Sequence, residues 1–164
     1  FGSVVSFGAF TDSSYDTPQD LKNKFGYGAY VISGAKGLFN IKSFHMKITA
    51  NGQEFEDDFI FGSVSNCAAV GGIIRFADGV VQVNDGLYEV VLIRRFRNIS
   101  NFFQIVHSLN TRDYSNLQDL IYFQTDEISI KSDIVMPWTI DGEYKGDFRN
   151  VDIRVNKGAV DIFY

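Results

Sequence analysis

The sequence predicts a mainly β fold, an antiparallel two-sheet β-sandwich with two helices, built from a chain of 164 residues. Short segments with strand-like residue patterns recur along the chain, and Gly, Asn or Asp residues bound them, as is typical of sandwiches and barrels. With 45% hydrophobic and 15% aromatic residues, a chain of this length can bury a substantial core. We therefore expect residues 1–164 to form a single domain.

A hairpin near residue 51 is the clearest element of the sequence. In Ser43–Thr49, polar residues alternate strictly with apolar ones, which is the period of a half-buried strand. Asn51 and Gly52 then supply the positive φ angles that tight hairpin turns prefer. Phe59–Val64 is the predicted partner strand, and the acidic residues near the turn are expected to be solvated.

Further strands are predicted where short apolar runs lie between turn residues. The run Phe1–Phe7 is strand-like and lacks a methionine or a polar leader, so we expect that the chain is cut at this point from a longer protein. The other predicted strands are Val80–Val83, Leu87–Ile93, Glu127–Lys131, Trp138–Asp141, Val151–Val155 and Val160–Tyr164.

Two helices are predicted from their start signals. Thr17 as an N-cap, a proline in the first helical position and an acid in the first turn indicate a helix from Pro18 to Ser33. Ser100 is the predicted N-cap of the second helix, in which apolar residues at helical spacing form a stripe for core packing.

Composition and charge exclude several classes of protein. The net charge of −5 leaves no basic field for nucleic acid. No apolar stretch approaches the ~20 residues of a membrane-spanning helix, so we expect a soluble protein. Cys67, the single cysteine, is expected to be a buried thiol.

Nucleotide-binding and metal-binding motifs are also missing from the sequence. It contains neither a P-loop nor a strand-linked G-x-G-x-x-G, so the chain alone is not expected to hold ATP, and no cofactor-binding residue is predicted. His45 and His107 are isolated, so neither a Cys/His metal cluster nor a catalytic triad is indicated.

Two acidic turns are the candidates for chemistry. Asn84, Asp85 and Gly86 precede a strand of high β-propensity, and Asp141-Gly142-Glu143 follows an apolar segment. Asp-Gly is first of all a turn dipeptide, so either site taken alone indicates a turn.

Four motifs give these turns a context. They are Phe7–Asp12, Ser65–Cys67 with Gly71-Gly72, Asn84–Val91 and Trp138–Glu143. In this order and at this spacing they resemble the family of soluble diacylglycerol kinases and sphingosine kinases. The resemblance runs through almost the whole chain. It implies that the family's other half, which carries a Gly-Gly-Asp-Gly-Thr nucleotide motif, lies upstream of Phe1.

The resemblance implies roles for residues in both acidic turns. Glu143 is similar to the family's catalytic base, which accepts the proton of a lipid hydroxyl as its oxygen attacks the γ-phosphorus of ATP. Asp85 is similar to a ligand of a structural Mg²⁺, with the main-chain carbonyls of Gln82 and Leu87 as co-ligands. The family often has two adjacent acids here, whereas this chain has Asn84 before Asp85, which lowers the local charge by one.

Two further features concern lipid. Trp138 and the apolar strand faces near Glu143 are candidates for an acyl-chain groove, although core packing is the alternative for each. The basic segment Arg94–Arg97 could contact anionic headgroups at a membrane surface, and its alternative is a solvated strand end.

The resemblance thus implies the carboxy-terminal half of an ATP-dependent lipid kinase that converts diacylglycerol to phosphatidic acid, with Mg²⁺ as cofactor and ATP as co-substrate. It also implies a cytoplasmic protein in peripheral contact with the inner membrane face, and we expect the isolated chain to be inactive. Sphingoid bases or other lipid alcohols are alternative acceptors. A non-enzymatic β-sandwich that binds carbohydrate or protein is the alternative from another class. A face that normally meets another domain could also form a homodimer.

Overall fold

The structure is a computed structural model that describes residues 2–8, 41–70, 74–77, 79, 81, 82, 84–114 and 118–158. The prediction of a mainly β fold is confirmed, because strands make up most of this part of the chain. In chain order the elements are β1 (Val4–Gly8), β2 (Phe44–Ala50), β3 (Gln53–Ser65), β4 (Ala69–Val70), β5 (Ile74–Arg75), β6 (Tyr88–Arg94), α1 (Ile99–Thr111), β7 (Leu120–Thr125), β8 (Glu127–Ile140) and β9 (Glu143–Arg154).

Seven of these strands form one sheet, and β4 and β5 form a separate two-stranded ribbon. The short strands β1 and β2 lie end to end between β3 and β8. Gly8 at the end of β1 faces Phe61 of β3, and Phe44 at the start of β2 faces Phe59. On the far side of β8 lies β9, while β6 and then β7 follow β3.

The predicted division into two sheets is therefore wrong. Each of β1, β2, β3 and β8 pairs with two of the others, because β1 and β2 share one position between β3 and β8, and the strands form one barrel-like sheet with extra strands. A single sheet forms because β3 and β8, with 13 and 14 residues, are each long enough to pair with both short strands. Sequence periodicity detects single strands and cannot show that two of them share the same neighbours.

The predicted strands agree with the structure to different degrees. The strand at Ser43–Thr49 is β2, and that at Leu87–Ile93 is β6, each shifted by one residue. Glu127–Lys131 and Trp138–Asp141 are the two ends of β8 rather than separate strands, because the register shifts between Lys131 and Met136 and breaks the alternation.

Three further predictions concern the regions beside these strands. Val151–Val155 belongs to the longer β9, which begins at Glu143. Val81 and Gln82 do not lie in a strand, and the predicted strand at Val160–Tyr164 lies outside the described residues. The sequence reading missed β7 altogether.

Both hairpin turns have the backbone that their sequences predict. Asn51 and Gly52 have φ angles of 52° and 70° between the facing residues Ala50 and Gln53. Asp141 and Gly142 have φ angles of 51° and 83° in the turn between β8 and β9. Positive φ at both central positions matches the right-handed twist of the paired strands, so each two-residue turn continues the sheet.

The second predicted helix is present as α1, with a different cap. The side-chain oxygen of Asn98 accepts a hydrogen bond from the backbone N–H of Asn101, 3.0 Å away. Asn98 has the extended backbone of an N-cap, whereas Ser100 already lies within the helix. The predicted helix from Pro18 to Ser33 lies outside the described residues. In the part of the chain that is described, α1 is too short to cross a membrane.

The core lies on both faces of the sheet. The larger cluster, on the inner face, includes Phe7, Met46, Phe59 and Trp138. A second cluster covers the outer face of β3 and β6, where Ile105 of α1 packs. Because side chains cover β3 and β6 on both faces, this part of the sheet is closely packed and rigid.

We predict that Gly62→Ala lowers the free energy of unfolding by about 1–3 kcal/mol through overpacking. A Cβ atom at this position would lie 2.3 Å from Cε1 of Phe7, whose ring packs over the glycine. Chemical denaturation measures the loss. Gly2→Ala is the matched control, because its Cβ would meet Asp141 at an ordinary 3.7 Å. Equal stability of Gly62→Ala and the wild type would contradict the packing described.

Candidate functional site

The two acidic turns lie at the same end of the sheet. The backbone N–H of Asp141 donates to the carbonyl of Val4 over 2.8 Å, and Val4 faces Ser65 at the end of β3. Ser65 in turn faces Glu89 at the start of β6, just after the turn that contains Asp85. Three interstrand steps of roughly 4.8 Å each separate β8 from β6, so about 14 Å lies between these strand ends. We call this region, with Asp85, Glu89, Asp141 and Glu143, the acidic end.

Asp141 connects the turn between β8 and β9 to the first strand, β1. Its carboxylate accepts hydrogen bonds from the backbone N–H groups of Gly2, Ser3 and Val4, at 3.0, 2.8 and 2.9 Å. The bonds from Gly2 and Val4 lower the pKa of Asp141. Asp141 is thus an anionic latch between β1 and the turn, a role that the sequence did not reveal because its partners are backbone groups far away in the chain.

Glu143 is the first residue of β9, directly after this turn. Its side chain is 78% exposed, and its Oε2 accepts a hydrogen bond from Nζ of Lys145 over 3.2 Å. The backbone of Glu143 is fixed by pairing with Ile140, while its carboxylate is open to solvent. A carboxylate placed in this way can reach a reactant outside the sheet. Its predicted role as catalytic base stays a prediction.

The turn before β6 contains the residues that were predicted to hold a metal. Oδ1 of Asp85 accepts from the N–H of Leu87 over 2.8 Å, and the carbonyl of Gln82 accepts from the N–H of Asp85 over 3.2 Å. Gly86 has a φ angle of 86°, which lets the chain turn sharply before β6. The three predicted ligand residues thus belong to one compact turn.

The chemistry of this turn fits a hard cation. Carboxylate and carbonyl oxygens are the donors that Mg²⁺ takes. The ammonium group of Lys157 already donates to the carbonyl of Asp85 over 3.2 Å, so the turn offers oxygen to a positive charge. Among the described residues, however, no group of three or more His, Cys, Asp or Glu side chains gathers around a metal position. A metal in this turn would depend on main-chain carbonyls in addition to Asp85.

Glu89 is a buried acid that the sequence reading did not single out. Its side chain is 1% exposed, and its Oε1 accepts a hydrogen bond from Nε2 of Gln124 over 3.0 Å. Burial raises the pKa of Glu89, and the nearby negative charge of Asp85 raises it further. The available signal was a charged residue inside the otherwise apolar run of β6.

Trp138 lies in the core, where it is 3% exposed and packs against Phe7 with ring centroids 5.0 Å apart. Its predicted contact with an acyl chain stays a prediction. The exposed apolar side chains on β8 and β9 are instead Ile134, Val135, Tyr144 and Phe148.

The sequence of this chain matches a known family. The chain belongs to the family described as YegS C-terminal NAD kinase beta sandwich-like domain, whose sequence model matches residues 3–164. The family resemblance read from the four sequence motifs is thereby confirmed.

Particular relatives are named diacylglycerol kinases. The Bacillus subtilis (strain 168) protein is 25% identical over 146 residues, which cover 89% of this chain and 48% of the relative. The Staphylococcus carnosus (strain TM300) protein is 25% identical over 149 residues and is covered to 47%. The chain thus spans about half the length of these curated relatives.

Solved structures share the fold. A crystal structure of a Bacillus anthracis str. Sterne protein matches with a TM-score of 0.66 and 21% identity, over 96% of this chain and 50% of that one. A second one from the same source, a diacylglycerol kinase, matches with a TM-score of 0.57 and 19% identity, over 96% and 47%.

We predict that Asp141→Asn destabilises the protein near pH 7 by up to about 1 kcal/mol, a figure reduced for solvent screening at this exposed site. Asparagine tolerates positive φ, so the substitution removes the charge and spares the turn. Because the folded-state pKa is lowered, the carboxylate stabilises the fold above the pKa of the unfolded chain. That contribution is lost as the pH falls through the folded pKa.

Chemical denaturation between pH 7 and pH 2 measures the difference between Asp141→Asn and the wild type. The difference should shrink as the pH falls and vanish at the acid end. A difference that is independent of pH would contradict the anionic latch.

Proposed function

We propose that this chain is the lipid-binding and base-donating half of an ATP-dependent lipid kinase that phosphorylates diacylglycerol to phosphatidic acid. The observation that carries the proposal is the exposed carboxylate of Glu143, held at the sheet end by a turn that Asp141 ties to β1. The names of the relatives support the same reaction class.

In the proposed reaction, Glu143 accepts the proton of the lipid's primary hydroxyl. The hydroxyl oxygen then forms a bond to the γ-phosphorus of ATP, and the bond from that phosphorus to the β–γ bridging oxygen breaks to release ADP. Phosphoryl transfer depends mainly on positioning and charge stabilisation, so one oriented carboxylate is enough on the acceptor side. Nζ of Lys145 lies 3.2 Å from Oε2 of Glu143 and restrains that carboxylate.

We propose that another part of the full-length protein binds the nucleotide. The chain has no phosphate-cradling sequence and spans about half of its relatives, which is why the isolated chain is expected to be inactive. At the acidic end, Asp85 with the carbonyls of Gln82 and Leu87 would hold Mg²⁺. The ion would supply fixed positive charge near the buried Glu89 and would hold the turn in place.

An apolar surface beside the base fits a lipid acceptor. Tyr144 follows Glu143 directly and is 63% exposed, and Phe148 is 46% exposed on the same strand. Five residues of strand span roughly 17 Å. In the register of β9 with β8, Phe148 shares a face of the strand pair with Glu143, whereas Tyr144 lies on the other face. We propose that this surface, with Trp138 beneath it in the core, receives the lipid tail.

A sphingoid base carries the same kind of primary hydroxyl on an apolar chain. Comparing turnover with diacylglycerol and with a sphingoid base therefore determines the acceptor.

We predict that Glu143→Gln in the full-length enzyme lowers turnover with diacylglycerol by roughly 10²–10⁴-fold, the usual contribution of a general base. Glutamine keeps the size and the hydrogen-bonding capacity of the side chain but removes the basic oxygen. The melting temperature should change little, because the side chain is exposed.

Glu54→Gln is the matched control for this variant. Glu54 also pairs with a lysine, Lys47, at 2.8 Å, but it lies at the other end of β3. Near-normal turnover of Glu143→Gln, or an equal loss in both variants, would remove Glu143 from the mechanism.

We predict that Asp85→Ala shifts the Mg²⁺ dependence of the full-length enzyme to higher concentration, because the one carboxylate ligand of the proposed site is lost. Turnover measured across a Mg²⁺ titration tests this. Asp152→Ala, an exposed acid on β9, is the control. A titration curve identical to that of the wild type would leave Asp85 as an ordinary turn residue.

A further inference from the structure

A cavity of about 400 Å³ lies between the middle of β3 and the segment that follows β6, at the end of β6 opposite the acidic end. From Ser65 back to Asp58, β3 runs seven residues, which is roughly 23 Å at the rise of a strand. The cavity is thus remote from Glu143 and Asp85. It is lined by Ile41, Asp57, Asp58, Ile60, Arg95, Phe96 and Arg97.

The acids of this cavity are already paired. Oδ2 of Asp57 lies 3.0 Å from Nε of Arg94, and Oδ1 of Asp57 accepts from the N–H of Asp58 over 2.8 Å. Oδ1 of Asp58 lies 2.9 Å from Nδ1 of His45, and this bond raises the pKa of the imidazole. The two carboxylates therefore have cationic or donor partners outside the cavity.

The arginines of the cavity differ from its acids. Within the described part of the chain, the guanidinium groups of Arg95 and Arg97 form no hydrogen bond or ion pair, and both residues are exposed. The backbone N–H of Arg95 donates to the carbonyl of Asp58 over 2.8 Å, which fixes the segment beside the cavity. Two guanidinium groups without partners, on a chain of net charge −5, form a local site for an anion.

The floor of the cavity is apolar. Ile60 and Phe96 are 3% and 7% exposed, and both belong to the core cluster on the outer face of the sheet. Guanidinium groups bind phosphate oxygens through paired N–H donors, and the apolar floor suits the carbon chain attached to a phosphate. The combination is amphiphilic, with charge at the rim and carbon beneath it.

We propose that this cavity binds the phosphate group of an anionic phospholipid and so attaches the domain to a membrane surface. Arg95 and Arg97 would contact the phosphate oxygens, and Ile60 and Phe96 would contact the first carbons of the lipid. The same phosphate chemistry exists in soluble phosphate esters, and the test separates the two sources. The site does not require the proposed kinase activity, because it lies at the other end of the sheet.

The experiment is co-sedimentation of the 164-residue chain with phosphatidylcholine vesicles, with and without phosphatidylglycerol. We expect binding only to the anionic vesicles, and we expect Arg95→Gln/Arg97→Gln to weaken it roughly 10–30-fold, since each arginine near an anionic surface contributes about 1 kcal/mol. Added salt should weaken wild-type binding. Arg95→Lys/Arg97→Lys should keep part of the binding, and thermal unfolding of each variant shows whether it is folded.

The matched control is Lys131→Gln/Arg149→Gln, which removes two exposed charges from β8 and β9. An equal loss in this control would overturn the proposal in favour of diffuse attraction. Calorimetry with glycerol 3-phosphate is the second arm. Tight binding of this ester without vesicle binding would overturn the lipid assignment, and the absence of both kinds of binding would overturn the site.

Discussion

The short strand β1 holds the acidic end together. Val5 of β1 faces Val64 of β3 on one side and Ile140 of β8 on the other, so five residues join the two longest strands at the end where both acidic turns lie. Asp141 adds the polar connection through the backbone N–H groups that precede and begin this strand. β2 joins the same two strands farther along the sheet, so β1 is the strand that fixes the separation of the two acidic turns at this end.

The four acids of this end differ in their surroundings, and the differences determine what each can do. Asp141 is held as an anion by N–H donors, whereas burial favours the protonated form of Glu89. Glu143 is exposed beside a lysine, and Asp85 lies in a turn that binds an ammonium group through its carbonyl. Carboxyl groups of one site commonly divide their roles in this way, because environment rather than residue type sets the protonation state.

Local features of this fold could be predicted from the sequence, and long-range ones could not. Asn51-Gly52 and Asp141-Gly142 were predictable turns, because their residues tolerate the positive φ that such turns require. The joining of the strands into one sheet was not, since it depends on two short strands sharing the neighbours β3 and β8. The cap of α1 was missed by two residues, because Asn98 and Ser100 are both good capping residues.

In the candidate site, too, local features could be predicted from the sequence and long-range contacts could not. The motifs identified both acidic turns, but the latch by Asp141 and the burial of Glu89 arise from tertiary contacts with Gly2–Val4 and Gln124. Trp138 was a candidate for an acyl groove, with core packing as the alternative, and the structure buries its side chain in the core. Proximity in sequence gives the location of a residue along a strand but not the face on which it packs.

The central claim is that Glu143 acts as the proton acceptor in phosphoryl transfer. It is tested most directly by the pH dependence of kcat/KM in the full-length enzyme, measured for the wild type and for Glu143→Gln. The account predicts that the wild-type rate rises across an acid limb as the base ionises, and that the variant loses this limb. A variant that keeps the acid limb of the wild type would contradict the assignment of Glu143 as the base.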